Sequence, residues 1–301
     1  MKHISKILLI SMLVLLISSL LGCTAALQQE GPYIISARSA IKLMDANNVV
    51  VVDAQNLDAF SKQQVEGAVN ISRSDIVISE PVSNMLLGKE AFEQLMKANG
   101  ISNESILVIY DNNDNMDAAR LWWTLKAYGH ENMKVVSGGI VALENEGVNI
   151  GSGNENITQT PTYSAEPLDE SLIATTNDVL KQVNRPREDV KIVDTRSVDE
   201  YVAGTIPGSI LVNYIGNNNE DGTFKSVQNI KLMYRDLDIR EEDTVILFCK
   251  SSIRGAQTLL ALYNAGYTNV KLYDGAWLEW TLDENRPIDA PEGVAPADAG
   301  G

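Results

Sequence analysis

The chain has 301 residues, enough for two ordinary domains once a short N-terminal segment is set aside. Its 40 acidic residues outnumber 24 basic ones, and the formal net charge is −16. That balance argues against a nucleic-acid partner, which needs clustered Lys and Arg to meet phosphates, and it fits a solvated acidic surface. Two cysteines and two histidines, one of them His3, are too few to build a typical metal site. No metal and no cofactor is expected.

In chain order, Lys2 and Lys6 precede an apolar run over residues 7–21. The run is too short to span a bilayer comfortably and has the layout of an export signal. It ends in Leu20-Leu21-Gly22-Cys23. The first predicted buried strand is Val49-Val-Val-Val-Asp53, followed by Asp58-Ala-Phe60 and Glu66-Gly67-Ala68-Val69-Asn70. Ile106-Leu-Val-Ile-Tyr110 reads as a second buried strand. A helical stretch then ends at Gly129, a residue suited to a helix C-terminus, and a short strand follows at 134–136. Residues 144–170 are rich in Asn, Gly, Thr and Pro and lack periodicity, which reads as a linker running over the surface.

The same order then returns. Ile192-Val-Asp194, Asp199-Glu-Tyr201 and Pro207-Gly208 repeat the earlier pattern, with Asp53 and Asp194, Phe60 and Tyr201, and Gly67 and Gly208 each 141 residues apart. Thr244-Val-Ile-Leu-Phe248 matches the second strand, Gly266 the helix-ending glycine, and Val270-Lys-Leu-Tyr273 the short strand. So many elements in one order indicate duplication. Short apolar runs alternating with helical patterns indicate an α/β fold with mostly parallel sheets flanked by helices, whose ligands bind beyond the carboxyl ends of the strands.

Cys249 lies at such an end. A strand leads into it, a short polar loop follows, and a helical pattern then begins. Backbone N–H groups at a helix start are unpaired and, with the helix dipole, stabilise an anion. A thiolate is the reactive form of cysteine. Lys250 and Arg254 bring positive charge to the loop, so Cys249 is the candidate nucleophile in an anion-binding cradle. Arg196, just after a strand end, is a candidate second anion contact; a salt bridge to Glu200 on the following turn is the equal alternative.

Two resemblances sharpen this reading. The N-terminal segment resembles the signal and lipobox of bacterial lipoproteins, which implies cleavage before Cys23, lipidation of Cys23 and an extracytoplasmic protein held at a membrane, in the periplasm or on the cell surface. Cys249 then has no partner within the chain. Val193-Asp194-Thr195-Arg196, Glu200-Tyr201, Gly204-Thr-Ile-Pro-Gly208, Cys249 to Arg254 and Tyr273-Asp274-Gly275-Ala-Trp277 resemble the rhodanese (thiosulfate sulfurtransferase) family. Tyr110-Asp111, Ala118-Ala119-Arg120-Leu-Trp122-Trp123, Gly129-His130 and Ser137-Gly138-Gly139 resemble the non-catalytic first domain of its two-domain members.

The resemblance implies two tandem rhodanese-like domains, at 32–147 and 172–288. They follow a signal peptide at 1–22, are joined by a linker at 148–171 and precede a disordered tail at 289–301. It implies one live site, since Asp111 stands where the second half has Cys249. Trp122, Trp123 and Tyr128 read as core or domain interface, and His130 as structural.

The chemistry expected is transfer of a sulfane sulfur through a Cys249 persulfide. The N–H groups of Lys250, Ser251, Ser252, Ile253 and Arg254 form a nest for the sulfur. Arg254 faces the bound oxyanion, Lys250 draws the donor in, and the Ser251 and Ser252 hydroxyls can donate hydrogen bonds. The donor expected is a small sulfur-containing anion such as thiosulfate, and the acceptor is cyanide, a thiol or a protein. Cysteine phosphatases use a loop one residue longer before the arginine, which ranks that chemistry lower. A polysulfide or sulfane-sulfur carrier and a mercaptopyruvate sulfurtransferase compete more closely with the thiosulfate enzyme.

Overall fold

The computed structural model describes residues 30–152 and 161–292. Cys23, part of the stretch between the halves, and residues 293–301 lie outside the described residues. The β-branched runs form the middle of two sheets, where both faces are covered and apolar side chains are needed on each. In the first half, β1 (Ile34–Ile35), β2 (Val49–Asp53), β3 (Val69–Asn70), β4 (Ile106–Tyr110) and β5 (Met133–Val136) lie in the order β1-β5-β4-β2-β3. In the second, β6 (Ile173–Ala174), β7 (Val190–Asp194), β8 (Ser209–Leu211), β9 (Thr244–Phe248) and β10 (Val270–Tyr273) lie in the order β6-β10-β9-β7-β8. Every pairing within these two sheets is parallel. The sequence repeat is therefore a repeat of topology: an α/β fold of two tandem domains.

The flanking helices are α1 (Ala37–Met44), α2 (Leu57–Lys62), α3 (Lys89–Ala98), α4 (Met116–Ala127) and α5 (Gly139–Asn145) in the first half. In the second they are α6 (Thr176–Asn184), α7 (Val198–Ala203), α8 (Val227–Asp236), α9 (Ile253–Asn264) and α10 (Ala276–Trp280). Local sequence explains their ends. Thr175 with Asp178 and Ser197 with Glu200 form capping boxes at the starts of α6 and α7. Gly129 and Gly266, at φ 80° and 96°, turn the chain out of α4 and α9. Their N–H groups bond back to Lys126 O and Tyr263 O, and those of His130 and Tyr267 to Leu125 O and Leu262 O. This is the paired closure that a left-handed glycine permits.

The long helices α4 and α9 hold the molecule together. Ten of the twelve residues in each are buried, so neither helix keeps a solvent face. Each covers its own sheet and packs on the other. Trp122 meets Tyr263 with ring centroids 5.9 Å apart and Tyr33 at 5.0 Å. The result is a core cluster that runs through both halves, from Val52 and Trp122 to Leu259 and Leu272. Asn264, near the end of α9, accepts the N–H groups of Tyr33 and Ile34 at 2.9 Å each, tying β1 to the opposite half.

Two expectations are corrected. The stretch at 144–170 is not a plain surface linker. Ile150–Gly151 pairs antiparallel with Gln64–Val65. Tyr163 and Ala165 are buried, and Ala165 N–H donates to Glu93 Oε1 at 2.9 Å. Polar composition concealed these two anchors, because one aromatic ring suffices to fix a segment in a pocket. The tail, expected to be disordered from 289, still pairs at its start: Asp289 and Thr205 exchange two backbone hydrogen bonds, 2.7 and 2.9 Å.

Trp122→Ala is expected to lower stability by about 3–5 kcal/mol, the usual cost of removing a buried tryptophan. Because the core is shared, the guanidinium chloride midpoint should shift as one transition. A second, unshifted transition would show that the halves unfold separately.

Candidate active site

Strand β9 lies between β7 and β10, and its register sets Phe248 beside Asp194. Cys249 is the next residue, at the carboxyl end of a central strand. It is a free cysteine and 1 % exposed. The loop then turns through Ser252, which holds a left-handed backbone (φ 60°, ψ 1°) and starts α9. The Ala256 N–H bond to Ser252 O, 3.0 Å, is the first backbone bond from α9 to the residue before it. The amides of Ile253, Arg254 and Gly255 precede it, at the end of the helix where donors lack intrahelical partners. Gly255 lets the helix start lie close against the sheet, since a Cβ there would sit 2.8 Å from Leu272 Cδ1. From the other side, Trp277 and Leu278 N–H groups donate to the carbonyls of Cys249 and Lys250 at 3.0 and 3.1 Å. The loop is therefore held at both ends by backbone.

The charges around it are arranged differently from expectation. Glu200 does not pair with Arg196. It accepts both arms of Arg254, at 2.6 and 2.9 Å. This hydrogen-bonded pairing, ahead of the opposing effect of burial, holds the Glu200 carboxyl down at about 2. Glu200 is also the chief cause holding Arg254 protonated, and Cys249 adds to it from the other side. Arg254 thus has part of its charge already answered by Glu200. Lys250 is exposed and has no ion-pair partner among the described residues. Ser251 Oγ accepts from Asn84 Nδ2 at 2.9 Å. Ser252 Oγ is turned away from a substrate role: it is buried and bonded to Asp274 O at 2.8 Å and Oδ1 at 3.0 Å. The Ile253 side chain is buried, so what it can offer an anion is its backbone N–H.

Arg196 is committed to a carboxylate of its own domain and is not free to meet a substrate anion. It is 2 % exposed, and its Nε and terminal nitrogen donate to Asp194 at 2.6 to 3.0 Å. It also donates to Gly204 O at 2.7 Å and lies 4.4 Å over the Trp277 ring. Asp194 is nearer along the chain than Glu200 and is fully buried, so its charge demands a partner more strongly.

The first domain has a loop at the same place, one residue longer between strand and helix, with a different occupant. Asp111, in the place of Cys249, points its carboxylate back into the loop. It accepts backbone N–H bonds from Asn113 and Asn115 at 3.1 Å each, Asp117 at 2.8 Å and Ala118 at 2.9 Å. Burial raises its carboxyl to about 6 against those hydrogen bonds. Asn115 holds the left-handed turn (φ 65°) that Ser252 holds in the second domain. His130 is buried, with Nδ1 facing the Tyr163 hydroxyl at 3.2 Å and Nε2 facing Ser105 O at 3.1 Å. Burial lowers its pKa, and its contacts are structural.

Residues outside the expected site also bear on it. Asn84 and Arg120 of the first domain and Asp274 of the second contact the loop serines. The signal for Arg120 was an arginine in an otherwise apolar helix run, which must find a buried partner. Asn84 left no signal in the sequence.

Two parallel α/β domains fused through one core, with Cys249 between a central strand end and a helix start, define a tandem α/β protein with a thiol site. Residues 36–146 and 175–283 both match the rhodanese-like domain, and the chain belongs to the rhodanese family. It is 30% identical over 275 residues to "Putative thiosulfate sulfurtransferase 1" of Mycobacterium bovis, an alignment covering 85% of this chain and 97% of that one. It is 31% identical over 224 residues to "Sulfur carrier protein TtuD" of Thermus thermophilus, covering 67% and 76%. Among solved structures it superposes on SseA from Escherichia coli, described as a 3-mercaptopyruvate sulfotransferase, with a TM-score of 0.72 and 23% identity over 81% of this chain and 98% of that one. At that identity the likeness is one of fold.

The Glu200–Arg254 pair gives a pH signature. The Glu200 carboxyl is depressed from 4.5 to about 2 in the folded chain. Its contribution to stability is therefore present above the unfolded value and is lost as pH falls from 4.5 toward 2. Acid unfolding of Glu200→Gln should depend less steeply on pH across that window than wild type. Equal slopes would mean the pair does not hold in solution.

Proposed function

We propose that the protein is a sulfurtransferase that moves a sulfane sulfur from thiosulfate, or a similar small anion, to cyanide or a thiol through a persulfide on Cys249. The observation that carries this is the paired loops. In the first domain a loop one residue longer, between the same strand end and helix start, turns four amides onto a carboxylate, and the shorter loop in the same place in the second is suited to an anionic sulfur on Cys249.

In the first step the Cys249 thiolate attacks the outer sulfur of thiosulfate. A new S–S bond forms, the old one breaks, and sulfite leaves with the bonding pair. In the second, cyanide or a thiolate takes the outer sulfur and the pair returns to Cys249. The amides of Lys250 to Arg254 stabilise the charge on sulfur at both stages. Arg254 adds charge tempered by Glu200, which leaves Lys250 as the cation that draws the donor. The loop, one residue short of a phosphate-ringing loop, favours a single sulfur over a phosphate. The chain acts outside the cytoplasm, anchored by lipid at Cys23, with a membrane-associated thiol or protein as one acceptor. The likeness to a protein named as a sulfur carrier favours a second reading, in which the persulfide is handed to a partner with little turnover alone.

Intact mass before and after thiosulfate, then after cyanide, separates these readings. A gain of one sulfur atom that cyanide removes, with catalytic thiocyanate release and neither seen in Cys249→Ser, is the expected result. Loading without turnover favours the carrier, and no loading from thiosulfate overturns the thiosulfate reading. Lys250→Ala should raise KM for thiosulfate several-fold with kcat close to wild type, the mark of a residue that binds donor without entering the chemistry.

A further inference from the structure

We propose that the first domain is a working part of the sulfur site: Arg120 and Asn84 are positioning residues that hold the Cys249 loop in shape across the domain interface. Ser252 has a left-handed backbone at φ 60°, a conformation unfavourable for a residue with a Cβ. Its side chain is what the surroundings hold. The hydroxyl donates toward Asp274, and it accepts from an Arg120 terminal nitrogen at 3.1 Å. Arg120 projects from α4 of the first domain and is fully buried. It pairs with Asp274 at 2.7 Å, donates to Asn84 O at 2.8 Å and lies 4.5 Å over the Trp123 ring. The other oxygen of Asp274 accepts Leu86 N–H at 2.7 Å. Asn84 Nδ2 then donates to Ser251 Oγ at 2.9 Å.

Both serines between Cys249 and the helix start are therefore gripped by the opposite domain. An ion pair that served only to join the domains would have no need to touch either. Those serines set where the amides of the loop and of the start of α9 point. Amides act on a sulfur anion only when aimed at it, and a misplacement of about 1 Å can cost about 10²-fold in rate. The first domain thus adds side-chain support to a loop whose backbone is held at its two ends.

The inference rests on the sulfurtransferase reading for its turnover assay alone. Two variants of the full chain test it. Asn84→Gly removes the bond to Ser251 at a position whose φ of 68° suits glycine, so the fold is kept. Arg120→Lys keeps a cation near Asp274 but loses the fork that reaches Ser252 and Asn84. Melting temperature, kcat and KM for thiosulfate, and the rate constant for alkylation of Cys249 by iodoacetamide are compared with wild type. Asn84→Gly should melt with wild type, lose about 10-fold in kcat at unchanged KM, and alkylate more slowly; Arg120→Lys should lose up to about 10²-fold. Wild-type kcat in the folded variants, or alkylation at or above the wild-type rate, would overturn the proposal whatever the melting temperature. Alkylation needs no sulfur donor, so an inactive wild type would defeat the sulfurtransferase reading while leaving this comparison decisive. Should Arg120→Lys fail to fold, Asn84→Gly decides alone.

Discussion

Helices α4 and α9 are buried nearly all the way round, and that constrains the whole molecule. A helix of this kind must be covered on every side. Each half supplies one sheet and so covers one side; the second side is closed by the other half's helix. The two domains consequently share one core, with Trp122, Tyr263 and Leu259 packed where a free domain would expose them. The Cys249 loop sits at the first turn of α9, so it inherits the fixed position of the seam. A site on a free single domain would have only its own sheet for support.

The electrostatics of the loop follow from the same crowding. In a chain of net charge −16, the anion proposed at Cys249 would have no support from the general field. What the loop offers it is local: neutral backbone amides, fixed by a helix start and by two carbonyl bonds to α10. Arg254 sits among them but shares its charge with Glu200, which also caps α7. One carboxylate thereby links the first turns of two helices to the side of the cysteine loop. Arg196 and Asp194 neutralise each other beneath, with Trp277 as the flat partner for the guanidinium. The buried charges near Cys249 are thus paired, and Lys250 stands exposed at the surface.

Much of this was legible in the sequence because it depends on local pattern. The β-branched runs marked the central strands, glycines 129 and 266 marked the helix ends, and the spacing of equivalent residues marked the duplication. The position of Cys249 followed from strand, loop and helix alone. What sequence could not supply was partner choice. Arg196 has Asp194 and Glu200 both within reach along the chain, and the decision turns on which carboxylate is fully buried. Ser252 looks like a polar loop residue free to meet substrate, until a residue far away in the chain claims its hydroxyl. Tyr163 and Ala165 were hidden by their polar neighbours. Contacts between distant segments depend on how the two halves dock, and no local pattern encodes that docking.

The carboxylate of Asp111, held by two amides of its own loop and two of the first turn of α4, makes the first domain self-sufficient at this place. Donors clustered at a helix start are poorly satisfied when no acceptor reaches them. By carrying an anion on its own side chain, the first domain is complete there without a ligand. The helix that begins at this carboxylate can then spend its other side chains on the seam, where Arg120 and Trp122 meet the second domain.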